Sequence, residues 1–193
     1  MNEDHLALCS SPEWAAYLAD DLLPWVLQGC DLGDHLLEVG PGPGLATEIL
    51  RRLVARVTAA ELDADLAGKL AARLAEEGTP TDQVSVVVAD ATELPFHGAR
   101  FSAVACLTML HHIPSATAQD AALEQMRRVL RPGGVLVGSD GLDTQDRRRV
   151  HQGDIFVPVD PRTLAGRLTL AGYSDAKIDV RGDRIAFSAR ADS

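Results

Sequence analysis

The chain has 193 residues, 46% of them apolar and 24% charged, and a net charge of −10 from 18 basic and 28 acidic side chains. That length suits one domain with a sizeable core, and the composition excludes global disorder. The negative charge disfavours a nucleic-acid partner, and no apolar run reaches the roughly 18 residues of a membrane span.

Residues 11–28 read as a leading helix. Ser11 caps it, Pro12 suits the first turn, and Trp14, Leu18, Leu22 and Trp25 recur at helical spacing. Pro24 should kink it. His35–Val39 reads as a buried strand, followed by a Gly/Pro turn and a helix over 45–54. Val57–Glu61 is a second strand, and Asp63–Glu77 a helix stopped by Gly78. Val84–Ala89 and Phe101–Leu107 are the third and fourth strands. A helix over 116–130 ends at Arg131-Pro132-Gly133-Gly134, and Val135–Ser139 is the fifth strand. Residues 141–158 carry no clear pattern and read as a specificity loop, with Arg147-Arg148-Arg149 a solvated run inside it. Asp160-Pro161 starts a helix closed by Gly172, and Ala176–Val180 with Arg184–Ala189 reads as a hairpin about Gly182-Asp183.

Alternating strands and helices imply crossover units. The expected fold is α/β: a Rossmann-like, doubly wound, mostly parallel seven-stranded sheet with an antiparallel C-terminal hairpin strand. The start, Met1-Asn2-Glu3-Asp4-His5, lacks the features of a signal peptide, so a cytoplasmic location without a membrane partner is expected. Cys9, Cys30 and Cys106 lie far apart with no C-x-x-C spacing, which indicates neither a disulfide framework nor a structural zinc site.

Ligands of open parallel sheets bind beyond the carboxyl ends of the strands. After the first strand stands Glu38-Val39-Gly40-Pro41-Gly42-Pro43-Gly44. Its glycines permit a tight bend and close approach of backbone to a ligand. The spacing is not that of the dinucleotide fingerprint, whose third glycine is Leu45 here. The second strand ends in Glu61, placed to accept from ribose hydroxyls. Asp63 already serves the cap that would otherwise explain Glu61. The third ends at Asp90-Ala91-Thr92, where a carboxylate and backbone amides can read an adenine edge. Together the three strand ends describe a nucleoside site.

These segments resemble the class I S-adenosylmethionine-dependent methyltransferases, over about residues 33–140. Leu37–Gly44 resembles the family's first motif, Ala60–Asp63 its ribose-binding acid, Ala89–Phe96 its adenine motif, Phe101–Pro114 its fourth strand and loop, and Arg127–Gly134 the turn before its fifth strand. The resemblance implies S-adenosyl-L-methionine as cofactor and S-adenosyl-L-homocysteine as product. It places Glu38 by the methionine amine, Gly40, Pro41 and Gly42 beneath methionine and ribose, and Glu61 on the ribose hydroxyls. Leu62 would lie against adenine, Asp90 would take its amine with Ala91 and Thr92 beside the ring, and Cys106 and Leu107 would line the methionine end through their backbone. Residues 1–32, with Trp14 and Tyr17, would form a helical lid on a cofactor-binding domain of residues 33–193.

The implied chemistry is in-line displacement at an activated methyl group, for which the protein aligns the nucleophile and excludes water. His111 and His112, just past the fourth strand, are the candidate bases, His111 ahead. His151 and Asp154 share that rim, while His5, His35 and His97 have no nameable partner. The Asn/Asp-Pro-Pro-aromatic motif of enzymes that methylate nucleic-acid bases is replaced by Cys106-Leu107-Thr108-Met109. Asp140 stands near the fifth strand but no acid lies near residues 106–112, so no catalytic metal is expected. The expected reaction is methyl transfer to an oxygen or nitrogen of a small molecule, by a monomer or homodimer. The alternatives are a cofactor-assisted cyclisation or rearrangement, a non-catalytic cofactor-binding module, and, against the Leu45 spacing, a nicotinamide oxidoreductase.

Overall fold

The computed structural model describes residues 2–192, with the backbone alone at residues 3 and 4. Seven strands form one sheet in the order β3-β2-β1-β4-β5-β7-β6. They are β1 (His35–Val39), β2 (Arg56–Glu61), β3 (Val84–Val88), β4 (Phe101–Leu107), β5 (Leu130–Gly141), β6 (Tyr173–Arg181) and β7 (Arg184–Ala191). β1 pairs in parallel with β2 and β4, β2 with β3, and β4 with β5. β7 pairs antiparallel with both β5 and β6, so it alone runs against the sheet. The expected hairpin and its single reversed strand are both present.

Burial on both faces explains the apolar runs of the central strands. All five residues of β1 are buried. Alternate side chains feed two cores: Leu37, Val39, Val104 and Cys106 face one, and Leu36, Ala103, Ala105 and Leu107 the other. The first core is covered by α6 (Ala116–Val129) and α8 (Pro161–Leu170), the second by α4 (Leu45–Leu50), α5 (Ala64–Glu76) and the N-terminal helices. Asp63 caps α5 by accepting from the Asp65 and Leu66 amides, and Asp160 caps α8 by accepting from Arg162.

Three stretches differ from the sequence expectation. The leading helix expected over residues 11–28 is divided into α2 (Pro12–Tyr17), a π-helical turn at Leu18–Leu22 and α3 (Leu23–Val26), and an unexpected α1 (Glu3–Cys9) precedes it. The kink expected at Pro24 is taken up by that wider turn, because proline supplies no amide for the ladder. Leu18, Leu22, Leu23 and Val26 pack it onto the sheet. Second, β5 begins at Leu130 rather than Val135. Leu130 pairs with Phe101, and a register shift absorbs Arg131–Gly134 before Val135 pairs with Ala103. Third, the unpatterned stretch contains α7 (Gln145–Val150), capped by Thr144. Its arginines are not a free basic run: Arg147 pairs with Asp183 at 2.9 Å, Arg148 with Asp143 and Arg149 with Asp146, both at 2.5 Å. Among the described residues no helix is long and apolar enough to cross a membrane.

Candidate functional site

The strand order reverses between β1 and β4, and the carboxyl ends of β1–β4 open there into a cavity of about 650 Å³. That lies in the range of sites holding a small molecule or cofactor, about 300–1,000 Å³.

One wall is the turn after β1. Gly40, Gly42 and Gly44 all have positive φ, +71°, +54° and +84°. Gly44 is the N-cap of α4, and a Cβ on it would overlap Leu70; a Cβ on Gly40 would lie 2.9 Å from Met109 Cβ. The Gly40 amide donates to Ala60 O (2.9 Å), and the Arg73 guanidinium donates to Pro43 O (3.2 Å) while pairing with Glu48 (2.9 Å). The loop is thus tied to β2 and α5 before any ligand arrives. Glu38, at the base of the turn, is 2% exposed and accepts from the Thr47 hydroxyl at 2.6 Å. Burial pushes its carboxyl up to about 7, and the neighbouring Glu61 and Glu48 charges add to the rise against the Thr47 hydrogen bond.

Glu61 ends β2 with its carboxylate held at two points. Oε2 accepts from the Gly42 amide (2.9 Å) and Oε1 from the Asp63 amide (3.0 Å). It links the β1 turn to the start of α5, a positioning role the sequence did not reveal. Leu62 follows on the rim, 66% exposed although apolar. Asp90 is exposed, and its Oδ1 accepts from both the amide and the hydroxyl of Thr92 at 2.7 Å. Asp90, Ala91 and Thr92 border the cavity together.

β4 ends in Leu107, and Thr108 follows it. Thr108 takes φ +52°, uncommon for a side chain branched at Cβ, and donates its amide to Ser139 O at 2.7 Å. Both line the cavity; Cys106 sits beneath, fully buried, with burial raising its thiol well above the ordinary range. Past them a 3₁₀ turn, Leu110–His112, divides the two histidines. His112 faces the cavity, and burial together with His111 and His5 lowers its imidazole to about 3. His111 lies behind it, 2% exposed. Its Nδ1–H donates to Asp140 Oδ1 at 2.5 Å, and its amide to Oδ2 at 3.2 Å.

The remaining wall comes from elsewhere in the chain. The N-terminal helices contribute His5, Cys9, Trp14 and Leu18, and the loop after α7 contributes Asp154 and Ile155. Tyr17 does not reach the cavity; its ring packs on Trp14, with the Arg184 guanidinium 5.0 Å from the Tyr17 ring centre. His5 and Thr108 escaped sequence reasoning as site residues.

The donor set fits a nucleoside with a cationic amino-acid tail. Acidic side chains stand at three successive strand ends, Gly40 borders the cavity, and an apolar side chain is exposed at Leu62. The family model described as a methyltransferase domain matches residues 37–138, from the first motif through the middle of β5. The chain belongs to this methyltransferase family. Its relatives and structural neighbours include S-adenosylmethionine-dependent class I methyltransferases.

The ubiquinone/menaquinone biosynthesis C-methyltransferase UbiE of Pseudomonas paraeruginosa is 33% identical over 114 residues, 58% of this chain and 43% of its own. Ribosomal RNA small subunit methyltransferase A of Acidithiobacillus ferrooxidans is 45% identical over 64 residues, 33% of this chain and 22% of its own. The chain therefore spans less than half the length of these curated relatives. A SAM-dependent methyltransferase from Aquifex aeolicus superposes with a TM-score of 0.78 over 99% of each chain at 16% identity, a likeness of fold.

Proposed function

We propose that this methyltransferase moves the methyl group of S-adenosylmethionine to an oxygen or nitrogen nucleophile of a small molecule. The observation that carries the reading is a single cavity bounded by Glu38, Glu61 and Asp90 at one side and by His112 at the other. Bound there, the cofactor supplies a methyl group already activated on a sulfonium.

The chain's own residues bind, orient and exclude water. Glu38, ionised, offers a buried charge to an ammonium group. Glu61 keeps its grip on Gly42 while presenting a carboxylate to vicinal hydroxyls, and Asp90 with the loop to Thr92 reads the base edge beside Leu62. His112, neutral near pH 7, lines the acceptor end and orients the incoming O–H or N–H by a hydrogen bond from one ring nitrogen, and the nucleophile's proton passes to solvent on product release. His111, fixed by Asp140, supports it from behind. The N-terminal helices act as a lid through Trp14 and Leu18, closing the reacting centre from solvent. The apolar residues Leu62 and Ile155 on the rim, with a net charge of −10, favour a small acceptor over a nucleic acid.

The test is turnover of S-adenosylmethionine with a panel of phenols, carboxylic acids and amines, following S-adenosylhomocysteine by chromatography and the acceptor by mass spectrometry. Acceptors one methylene heavier, formed in step with S-adenosylhomocysteine, support the reading. Acceptor converted without S-adenosylhomocysteine indicates cyclisation or rearrangement. Methylation of a ribosomal RNA fragment in preference to every small molecule overturns the substrate class.

A further inference from the structure

Four of the six histidines converge where the acceptor end of the cavity meets the protein body. They come from three distant parts of the chain: His5 on α1, His111 and His112 after β4, and His151 at the end of α7. One ring nitrogen of each lies within 4.8 Å of the others. Ring centres are 4.1 Å apart for His111 and His112, and 4.3 Å for His5 and His151.

The hydrogen bonds set which nitrogens face inward. Asp140, fully buried, accepts from His111 Nδ1–H. The carbonyl of Arg147 accepts from His151 Nδ1–H at 2.7 Å. A carbonyl only accepts, so the His151 proton is on Nδ1 and Nε2 carries a bare lone pair. His111 is placed the same way. The Nε2 atoms of His111 and His151, and Nδ1 of His5, are buried without a hydrogen-bond partner among the described residues. The lone pairs on His111 and His151 Nε2 are costly to bury unless something accepts them, and His5 Nδ1 offers a third when its proton sits on Nε2. An imidazole that donates its outer N–H to a carboxylate or carbonyl and turns the other nitrogen inward has the arrangement of a metal ligand.

We propose that His5, His111, His112 and His151 bind a divalent transition-metal ion of the zinc type. Imidazole donors suit zinc and its neighbours, and four of them close a tetrahedral shell. With bonds of about 2.0–2.1 Å such a shell needs nitrogens about 3.3 Å apart, so the widest pair closes by roughly 1.5 Å through side-chain rotation. The positive charge is met by Asp140 behind His111 and by Asp154, whose Oδ2 lies 4.0 Å from His5 Nδ1. The expectation of no metal rested on missing carboxylates near residues 106–112; imidazoles are a different donor set.

The ion joins the N-terminal helix to the two loops that frame the acceptor. Asn2 already prepares that junction: its amide donates to Asp154 Oδ2 (3.1 Å), its side-chain amide donates to Val150 O (2.9 Å), and its Oδ1 accepts from the His5 amide (2.8 Å). Metal binding therefore fastens α1 over the cavity, independently of what the cavity holds.

The experiment titrates untagged, chelator-stripped protein with Co²⁺ and then Zn²⁺. One equivalent of Co²⁺ should give the visible bands of four-coordinate cobalt without a near-ultraviolet sulfur-to-cobalt band, and Zn²⁺ should bleach them. His5→Ala and His151→Ala should each weaken uptake at least tenfold, and Zn²⁺ should raise the melting temperature of the parent protein but not of His5→Ala. Asp140→Asn should weaken uptake about 10–100-fold. Because Asp140 is buried and its loss could disturb the fold, the decisive variant is His5→Ala, near the start of the chain. His97→Ala, at an exposed histidine outside the cluster, should bind as the parent does. No uptake in competition with a weak chelator, a sulfur-to-cobalt band, or uptake indifferent to both His5→Ala and His151→Ala overturns the proposal.

Discussion

Replacing Glu38 by Gln tests the electrostatics beneath the β1 turn. Glu38 is fully enclosed, and its carboxyl titrates at about 7 instead of 4.5. At about 1.4 kcal/mol per pH unit, that gap is worth roughly 3 kcal/mol. A carboxyl whose folded value is raised leaves stability intact below pH 4.5 and removes it as pH climbs through 7. Gln keeps an oxygen for the Thr47 hydroxyl and cannot ionise. At pH 5 the two proteins should therefore unfold at similar urea concentrations, and at pH 8 Glu38→Gln should be more stable by roughly 3 kcal/mol. The difference between the two stability–pH curves isolates the group, since every other carboxylate is common to both. Parallel curves between pH 5 and 8 would mean that Glu38 does not titrate in this range. A cationic ligand beside Glu38 favours its ionised form, so S-adenosylmethionine binding near pH 6.5 should release up to one proton, read by calorimetry in buffers of different ionisation enthalpy, and Glu38→Gln should release none there.

Other consequences can be measured on the same footing. Glu61→Gln and Asp90→Asn should each weaken S-adenosylmethionine binding by about 1–3 kcal/mol, as for lost charge-assisted hydrogen bonds, with the fold intact by circular dichroism; normal binding by both would remove the ribose and adenine assignments. Leu62→Ala should weaken cofactor binding yet change stability by less than about 0.5 kcal/mol, because the side chain is already 66% exposed. Gly138→Ala should destabilise by about 1–3 kcal/mol in thermal unfolding, since its Cβ would overlap the Phe187 ring, and Phe187→Leu in the same chain should recover part of the loss.

What could be read from the sequence was what is local. β1, β4 and the α5 cap stand where the apolar runs and Asp63 put them, because both are contiguous signals. The three strand-end motifs were legible for the same reason, and the parallel sheet brings them together without further information. Short elements were not legible. α1 has seven residues and α7 six, less than two turns, too few to show a helical period. The π turn at Leu18–Leu22 and the positive φ of Thr108 depend on packing that no residue type announces. The histidine cluster was out of reach because His5 and His151 are separated by most of the chain, and only the folded N-terminus brings them together.

The preference for His111 over His112 was also a matter of geometry: both follow β4, but the 3₁₀ turn sends one to the cavity and the other to Asp140. The orienting role proposed for His112 rests on that placement, and variants of His112 bear on it most directly through turnover rather than cofactor affinity.

S-adenosylmethionine is the cofactor proposed for the cavity at the ends of β1–β4. Isothermal titration of cofactor-stripped protein with S-adenosylmethionine, with NADH as the control, tests it most directly. One site with a micromolar or tighter dissociation constant is expected, weakened at least about fivefold by Glu61→Gln, with no heat from NADH. Absence of S-adenosylmethionine binding, or saturable binding of NADH in its place, would contradict it.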